Sequence, residues 1–553
     1  MSSSSTHKKQ KIAQNQYSGY IIPSSTIEIA TIDLSKTSIT PKEFFSHYIS
    51  QRKPVKLINC SNSSDEDDYN FIDVVKFQLK YLESTLNYNI EPLQVEELFK
   101  GGFGLGQKRI DMKLSDLIHE FEKGDRELYL TTQYDREGEE DECAEMDYDD
   151  AADNDEDASR EEDPNEEEEE EGAAILDQIS NASSIDMNDL HDDFDDFDDS
   201  TNKEEEEEEV DPEYDAYQRV KTLYQPPLTN LAKATTTTLP TNPPLIPNLI
   251  PQQINIWMGK TSNISTNSKT STMNATSTDS TDQPIETLDR SIPNNGTSSG
   301  LHHDHADNLY ILVQGRKRFT IFSPADALKL FTVGKIHRVF SNGVIDYKTD
   351  CNFPNWRLIR DDGAMIEDVL NWQMSQTEDE KEIERLSELL DIHEMKRKSI
   401  AKEKSATEKS ATEKSGAEDQ SRDPPSFSQI PPCLLHIDEV EDVKQQARLI
   451  EFANTHFPGF LELNKMSVWL DPGDMLYLPA SWFHEVSSFG VGVDDDDAGA
   501  AARVHIALNY WFVPPNNDDF KHCYKDLYWE QDWQETKKAI EVFQQSDKQK
   551  KKE

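Results

Sequence analysis

The stretch Leu301-His302-His303-Asp304-His305-Ala306-Asp307-Asn308 runs straight into Leu309-Tyr310-Ile311-Leu312-Val313-Gln314 and then Gly315. The apolar run closed by glycine reads as a strand, and metal-ligand side chains crowd its mouth. Side chains alternate along a strand, so His302 and Asp304 share one face while His303 and His305 share the other. Two histidines and one carboxylate are the donor set of a facial non-haem Fe(II) centre, which keeps positions open for reactants. His302 and Asp304 supply two ligands, and a distant histidine must supply the third.

Working outward, His484 is the leading candidate. It ends Asp471-Pro472-Gly473-Asp474-Met475-Leu476-Tyr477-Leu478-Pro479-Ala480-Ser481-Trp482-Phe483-His484. A Pro-Gly-Asp turn starts a short apolar strand, Pro479 stops it, and His484 opens the next strand. Blander readings exist for both pieces: a histidine-rich loop is commonly just solvated, and a histidine beside Phe483 and Val486 is commonly a core residue.

The flanking sequence is rich in short strands. Arg318–Phe322 follows the Gly315 turn; Gln253–Met258 precedes the histidines, and Ser467–Leu470, Met475–Leu478, His484–Ser487 and Val504–Phe512 come later. Helical spacing appears at Phe44-Phe45-Tyr48-Ile49, over 112–121, and from Tyr528 to Gln545. The expected fold is mainly β, a barrel or sandwich with N-terminal α/β additions and a C-terminal helix. The expected divisions are a disordered tail at 1–16, an N-terminal part at 17–135, an acidic disordered insertion at 136–215 and a first core part at 216–359. A low-complexity insertion at 360–425, a second core part at 426–515 and a C-terminal helix with a basic tail at 516–553 complete the chain.

The 553 residues carry 108 Asp+Glu against 56 Lys+Arg, a formal net charge of −52. Residues 135–215 alone contribute −38, leaving −14 for the rest. So dense an acidic segment with few aromatics is expected to be disordered. The acidic balance disfavours a nucleic-acid substrate. No apolar run is long enough for a transmembrane helix, and the N-terminus lacks a secretory signal. Five scattered cysteines without a Cys-x-x-Cys pair fit reduced thiols in a cytoplasmic or nuclear setting.

His302-x-Asp304-x-x-x-Asn308, then Gly315-Arg316-Lys317-Arg318-Phe319, Pro472-Gly473-Asp474, Leu478-Pro479-x-x-Trp482-x-His484 and Leu508-Asn509-Tyr510-Trp511 together resemble the JmjC/cupin-8 group of Fe(II)- and 2-oxoglutarate-dependent oxygenases. The hypoxia-inducible factor asparaginyl hydroxylase group is the member most directly comparable. The resemblance implies a double-stranded β-helix (jelly-roll cupin) and iron held by His302, Asp304 and His484. It implies Lys317 on the distal carboxylate of 2-oxoglutarate, with Asn308, Asn509, Ser299 and Tyr129 near that co-substrate, and O2 as the oxidant. Other cupins use a His-x-His pair plus a later glutamate; Leu309, Tyr310 and Ile311 stand where that glutamate would be, so His303 and His305 are set aside. The 180 residues between Asp304 and His484 exceed the group's usual spacing, which the 360–425 insertion accounts for.

The expected activity is hydroxylation of a protein side chain. The competing readings are N-methyl-lysine or arginine demethylation, and a non-catalytic scaffold whose acidic insertion binds basic proteins. A basic protein substrate would be drawn by that insertion. The terminal helix, with Trp529 and Trp533, would either pair two copies of the chain or pack on the barrel.

Overall fold

The structure is a computed structural model that describes residues 14–60 except 25 and 27, 71–98, 102, 109–133 except 125, 212–233, 239–260, 290, 292–293, 296–411, 423–489 and 503–550. In chain order its strands are Gln14–Asn15 (β1), Ala30–Asp33 (β2), Val55–Ile58 (β3), Leu93–Glu97 (β4), Arg109–Met112 (β5), Leu128–Leu130 (β6), Pro251–Lys260 (β7) and Thr297–Ser298 (β8). The second half adds Asp307–Gln314 (β9), Arg316–Phe322 (β10), Ile336–Val339 (β11), Ile345–Tyr347 (β12), Met466–Leu470 (β13), Met475–Leu478 (β14), Phe483–Phe489 (β15) and Val504–Phe512 (β16).

Nine strands make one sheet in the order β2-β3-β14-β9-β16-β7-β6-β4-β5, and four make a second, β13-β10-β15-β8. A small third sheet holds β1, β11 and β12. Neighbours in the two large sheets run antiparallel, save the parallel pair β2 and β3. The sheets face one another across a shared apolar cluster. Tyr310 and Leu312 of β9, Leu476 and Leu478 of β14 and Trp511 of β16 meet Phe319 and Ile321 of β10, Val468 of β13 and Val486 of β15. This is the jelly roll expected from the sequence.

Residues of the other parity on the same strands, among them Leu309, Ile311, Val313, Ile506, Leu508 and Tyr510, belong to a second cluster that includes helical side chains. Burial on both faces explains why β9 and β16 read as unbroken apolar runs. Polar residues enter the inward rows at Asn255 on β7, Asn308 on β9, Lys317 on β10, and His505 and Asn509 on β16, all buried. That polar interior places the functional site.

Local chemistry sets the entry to the barrel. Thr40 and Glu43 form a capping box, with the Thr40 amide donating to Glu43 Oε2 at 2.8 Å and Pro41 in the first helical turn. The helix Pro41–Phe44 continues into the wider turn Phe45–Ile49 and leads to β3. The expected helix over 112–121 starts later, at Leu114–Lys123, because Arg109–Met112 pairs with β4 as a strand.

Two other readings change. The stretch from 360 was expected to be a low-complexity insertion with a helical, solvated centre; it holds the helices Ile366–Ser375 and Glu380–Ala411, and at its start Ala364 and Val369 enter the main core. The charged composition of 378–411 masked the helix preceding it. The segment assigned to the acidic insertion ends in structure as well: Pro212–Leu223 is a helix whose first turn carries Glu213 and Asp215, where the helix dipole favours them. Residues 1–13, 134–211 and 412–422 lie outside the described residues. Trp529 and Trp533 on the terminal helix Tyr528–Lys550 are buried in the chain's own core. Among the described residues no helix is long and apolar enough to cross a membrane.

Candidate metal centre

Backbone pairing builds the centre first. The His302 amide donates to the His484 carbonyl at 3.0 Å, and the His484 amide returns a bond to the His302 carbonyl at 2.7 Å. This bridge sets the two rings side by side, with centroids 4.4 Å apart. Ser481, in a left-handed turn at φ 60°, donates its amide to the Asp304 carbonyl at 2.7 Å. The chain ends separated in sequence are therefore joined by main-chain bonds before any side chain acts.

One ligand atom from each of His302, Asp304 and His484 lies within 4.8 Å of the others, and all three residues are buried. His302 Nδ1 sits 3.0 Å from the Gly300 carbonyl and His484 Nδ1 2.9 Å from the Trp482 carbonyl. A carbonyl only accepts, so each Nδ1 carries the proton and each Nε2 presents a lone pair. Those Nε2 atoms lie 3.9 and 3.8 Å from the Asp304 carboxylate oxygens. Asp304 Oδ2 accepts from Trp511 Nε1 at 3.3 Å and from Asn308 Nδ2 at 3.5 Å, whereas Oδ1 is buried without a hydrogen-bond partner among the described residues. A buried carboxylate whose two oxygens each face an imidazole lone pair, one of them with no hydrogen-bond partner among the described residues, fits a divalent metal. Phe427 stacks on the His302 ring at 4.9 Å and holds its plane.

His303 and His305 turn away, as strand alternation requires. His303 Nε2 is 2.6 Å from the Tyr347 hydroxyl, and His305 Nε2 is 2.8 Å from the Ile345 carbonyl. Burial lowers the pKa of His302, His303 and His505 well below the usual histidine value, and brings His305 to about 4. The unfolded chain thus binds more protons than the folded one below pH 6.5, and stability falls as the solution is acidified. His305 alone costs about 2 kcal/mol at pH 5, from about 1.36 kcal/mol per pH unit. His436 has the opposite sign: burial lowers its pKa, but bonds to Glu439 and Glu485 outweigh this and raise it. We expect a lower urea midpoint at pH 5 than at pH 7 in metal-free protein; equal midpoints would contradict the burial argument.

Lys317 lies deeper, fully buried, its Nζ 5.9 Å from the Tyr129 ring centre and 5.5 Å from that of Tyr310. Among the described residues no carboxylate lies within ion-pair distance of it, and burial depresses its pKa to about 7. Register places Lys317 opposite Ser488, and Ser488 opposite Thr297, so the three project to one face. The hydroxyls of Thr297, Ser488 and Tyr310 are buried without hydrogen-bond partners among the described residues. Ser299 is placed differently: its hydroxyl accepts from the Val486 amide at 3.0 Å and donates to the Gly300 carbonyl at 2.9 Å. Asn509 joins both regions, accepting from Trp257 Nε1 at 2.8 Å and donating to Asn308 at 3.4 Å. The sequence reading missed Thr297, Ser488, His505 and the role of Trp511. Residue parity along β15 and β16 was the available signal.

The comparisons agree with this geometry. The model of the cupin-like domain family matches residues 41–518. The chain belongs to the cupin-like domain family. This cupin-like chain is also 26% identical over 525 residues to the JmjC domain-containing protein 4 of Schizosaccharomyces pombe, covering 88% of the chain and 86% of that protein. The family match spans both halves of the candidate metal site and the sequence between them. The cupin-like core is thus continuous in family terms although Asp304 and His484 stand 180 residues apart.

Proposed function

We propose that this protein is an Fe(II)- and 2-oxoglutarate-dependent dioxygenase that hydroxylates a protein side chain. The observation carrying the reading is the buried His302, Asp304 and His484 cluster, in which each Nε2 faces a carboxylate oxygen of Asp304 and one of those oxygens is otherwise unsatisfied among the described residues. When bound there, iron supplies the redox chemistry that couples O2 to oxidation of the 2-oxo acid and of the substrate. The chain's own part is positional. Gly300 and Trp482 fix the tautomers of the two histidines, and Trp511 and Asn308 orient the carboxylate. Lys317 offers a cation to the far carboxylate of the co-substrate, and the apolar walls keep bulk water out.

Side-chain hydroxylation is favoured over N-demethylation because no chromatin-reader motif, such as a zinc-ligand Cys/His array, accompanies the core in the sequence. A basic protein substrate is proposed on charge, since residues 135–215 carry −38. Deleting 137–213 should then lower capture of a basic substrate at low salt and leave co-substrate turnover intact.

The test is anaerobic binding of Fe(II) and 2-oxoglutarate, followed by oxygen-dependent succinate release. Wild type binding neither overturns the proposal. Mass gain of one oxygen on a substrate supports hydroxylation, and formaldehyde release would redirect it to demethylation. Lys317→Ala should weaken 2-oxoglutarate by about 2–5 kcal/mol, roughly thirty-fold or more, while iron affinity holds. Because the free lysine titrates near 7 and the bound one must be charged, affinity should drop up to about tenfold per pH unit above 7. A flat profile from pH 6.5 to 8.5 would exclude the assigned role.

A further inference from the structure

The deep end of the barrel, beside the β9–β10 turn, holds a histidine that none of the foregoing uses. His505 is the second residue of β16; its side chain is fully buried, and both ring nitrogens lack hydrogen-bond partners among the described residues. Most buried polar groups are satisfied, so an imidazole with two unmet nitrogens inside a strand requires a reason. Ordinary core packing does not provide it, because the flanking rows of β16 are filled by Val504 and Ile506 without such a cost.

The fold also gives up side chains to hold this ring. A Cβ at Gly259, directly across from His505 in register, would lie 2.5 Å from the ring's Cε1. A Cβ at Gly315 would lie 2.7 Å from the Cβ of His505, and Gly315 additionally needs its φ of 84° for the turn. Glycine on both sides leaves the space that the imidazole occupies. The ring centre is 5.8 Å from that of Tyr129, and Tyr129 is 5.9 Å from Lys317 Nζ. His505 thus stands with Lys317 and Tyr129 at the end of the barrel where the far carboxylate of the co-substrate is proposed to bind. The proximity is electrostatic as well, since Lys317 adds to the burial that keeps His505 neutral.

We propose that His505 is a specificity-determining residue for the co-substrate: a ring N–H donates to the distal carboxylate beside Lys317, selecting a dicarboxylic 2-oxo acid over monocarboxylic ones. The assignment rests on the dioxygenase reading and deepens it. A carboxylate has about four lone-pair sites, so Lys317 and a neutral imidazole serve one anion without competing. A neutral donor adds a hydrogen bond without a second buried positive charge, which the site could not stabilise when empty.

The experiment uses the full chain with Fe(II), titrated anaerobically with 2-oxoglutarate and separately with 2-oxobutanoate, which lacks the far carboxylate. His505→Phe and His505→Ala should weaken 2-oxoglutarate roughly ten-fold or more and leave 2-oxobutanoate unchanged. His505→Gln, which restores an N–H donor, should recover most of the loss. Iron affinity of each variant reports whether the barrel is intact, and Phe retains ring bulk where Ala opens a cavity. Wild-type affinity for 2-oxoglutarate in His505→Phe overturns the inference, as does equal weakening of both acids. In those cases a Lys317→Ala defect would still uphold the dioxygenase reading; failure of the wild type to bind 2-oxoglutarate removes both.

Discussion

Asp304→Ala should abolish oxygen-dependent succinate release and lower Fe(II) affinity by at least about 100-fold, the upper end of what loss of a ligand's supporting partner alone produces. The expectation follows from what remains. His302 and His484 keep their Nδ1 bonds to Gly300 and Trp482, so two neutral nitrogens still converge, but no anion is left to offset the metal's charge. Asp304→Asn retains shape and weakens metal nearly as much, because charge rather than volume is removed. Trp511→Phe takes only the N–H from Oδ2, so its cost should fall in the about 10–100-fold range. Metal content after dialysis at fixed free Fe(II), together with succinate release, checks the order. If Asp304→Ala retains wild-type iron, the three-residue centre is wrong.

Arg52→Met should destabilise the fold by about 3–5 kcal/mol. Arg52 donates to both Asp307 oxygens, at 2.9 and 2.5 Å, and both side chains are buried. Asp307 also accepts from the Tyr477 hydroxyl at 2.6 Å and from the Ala480 amide at 2.9 Å. The aspartate therefore ties the start of β9, three residues beyond Asp304, to the turn that leads to His484. Removing the guanidinium strands a carboxylate where water cannot reach it, which is the costly way to break a buried pair. Lys is a poor replacement, since a single ammonium cannot reproduce the two-point fork. Urea unfolding of metal-free protein measures the loss; pairing Arg52→Met with Asp307→Leu should cost less than the two changes summed. Loss below about 1 kcal/mol would show that the pair is not holding the two arms.

Local rules made half of this site legible. His302 and Asp304 follow from strand alternation, and His484 from a turn, a short strand and a proline stop. Lys317 came through resemblance alone, since nothing local separates a buried lysine from an exposed one in Gly315-Arg316-Lys317-Arg318. Thr297, Ser488 and His505 stayed hidden because β15 and β16 are buried on both faces, so hydrophobicity does not mark which row looks inward. Arg52 and Asp307 are separated by 255 positions, and no periodicity relates them. Ser299 was chosen by its offset from His302, yet its hydroxyl serves the main chain, whereas that of Thr297 has no partner among the described residues.

The bridge between His302 and His484 has a consequence for how the protein matures. A contact between residues so far apart in the chain forms late, because loop closure precedes it. During synthesis the first two ligands are complete long before the third is made, and a chain shortened anywhere before His484 lacks a full set. A metal that needs all three ligands would therefore load only onto chains that extend past His484. Metal content in a preparation would then report the fraction of correctly closed barrels, with chains that lack or misplace His484 left empty.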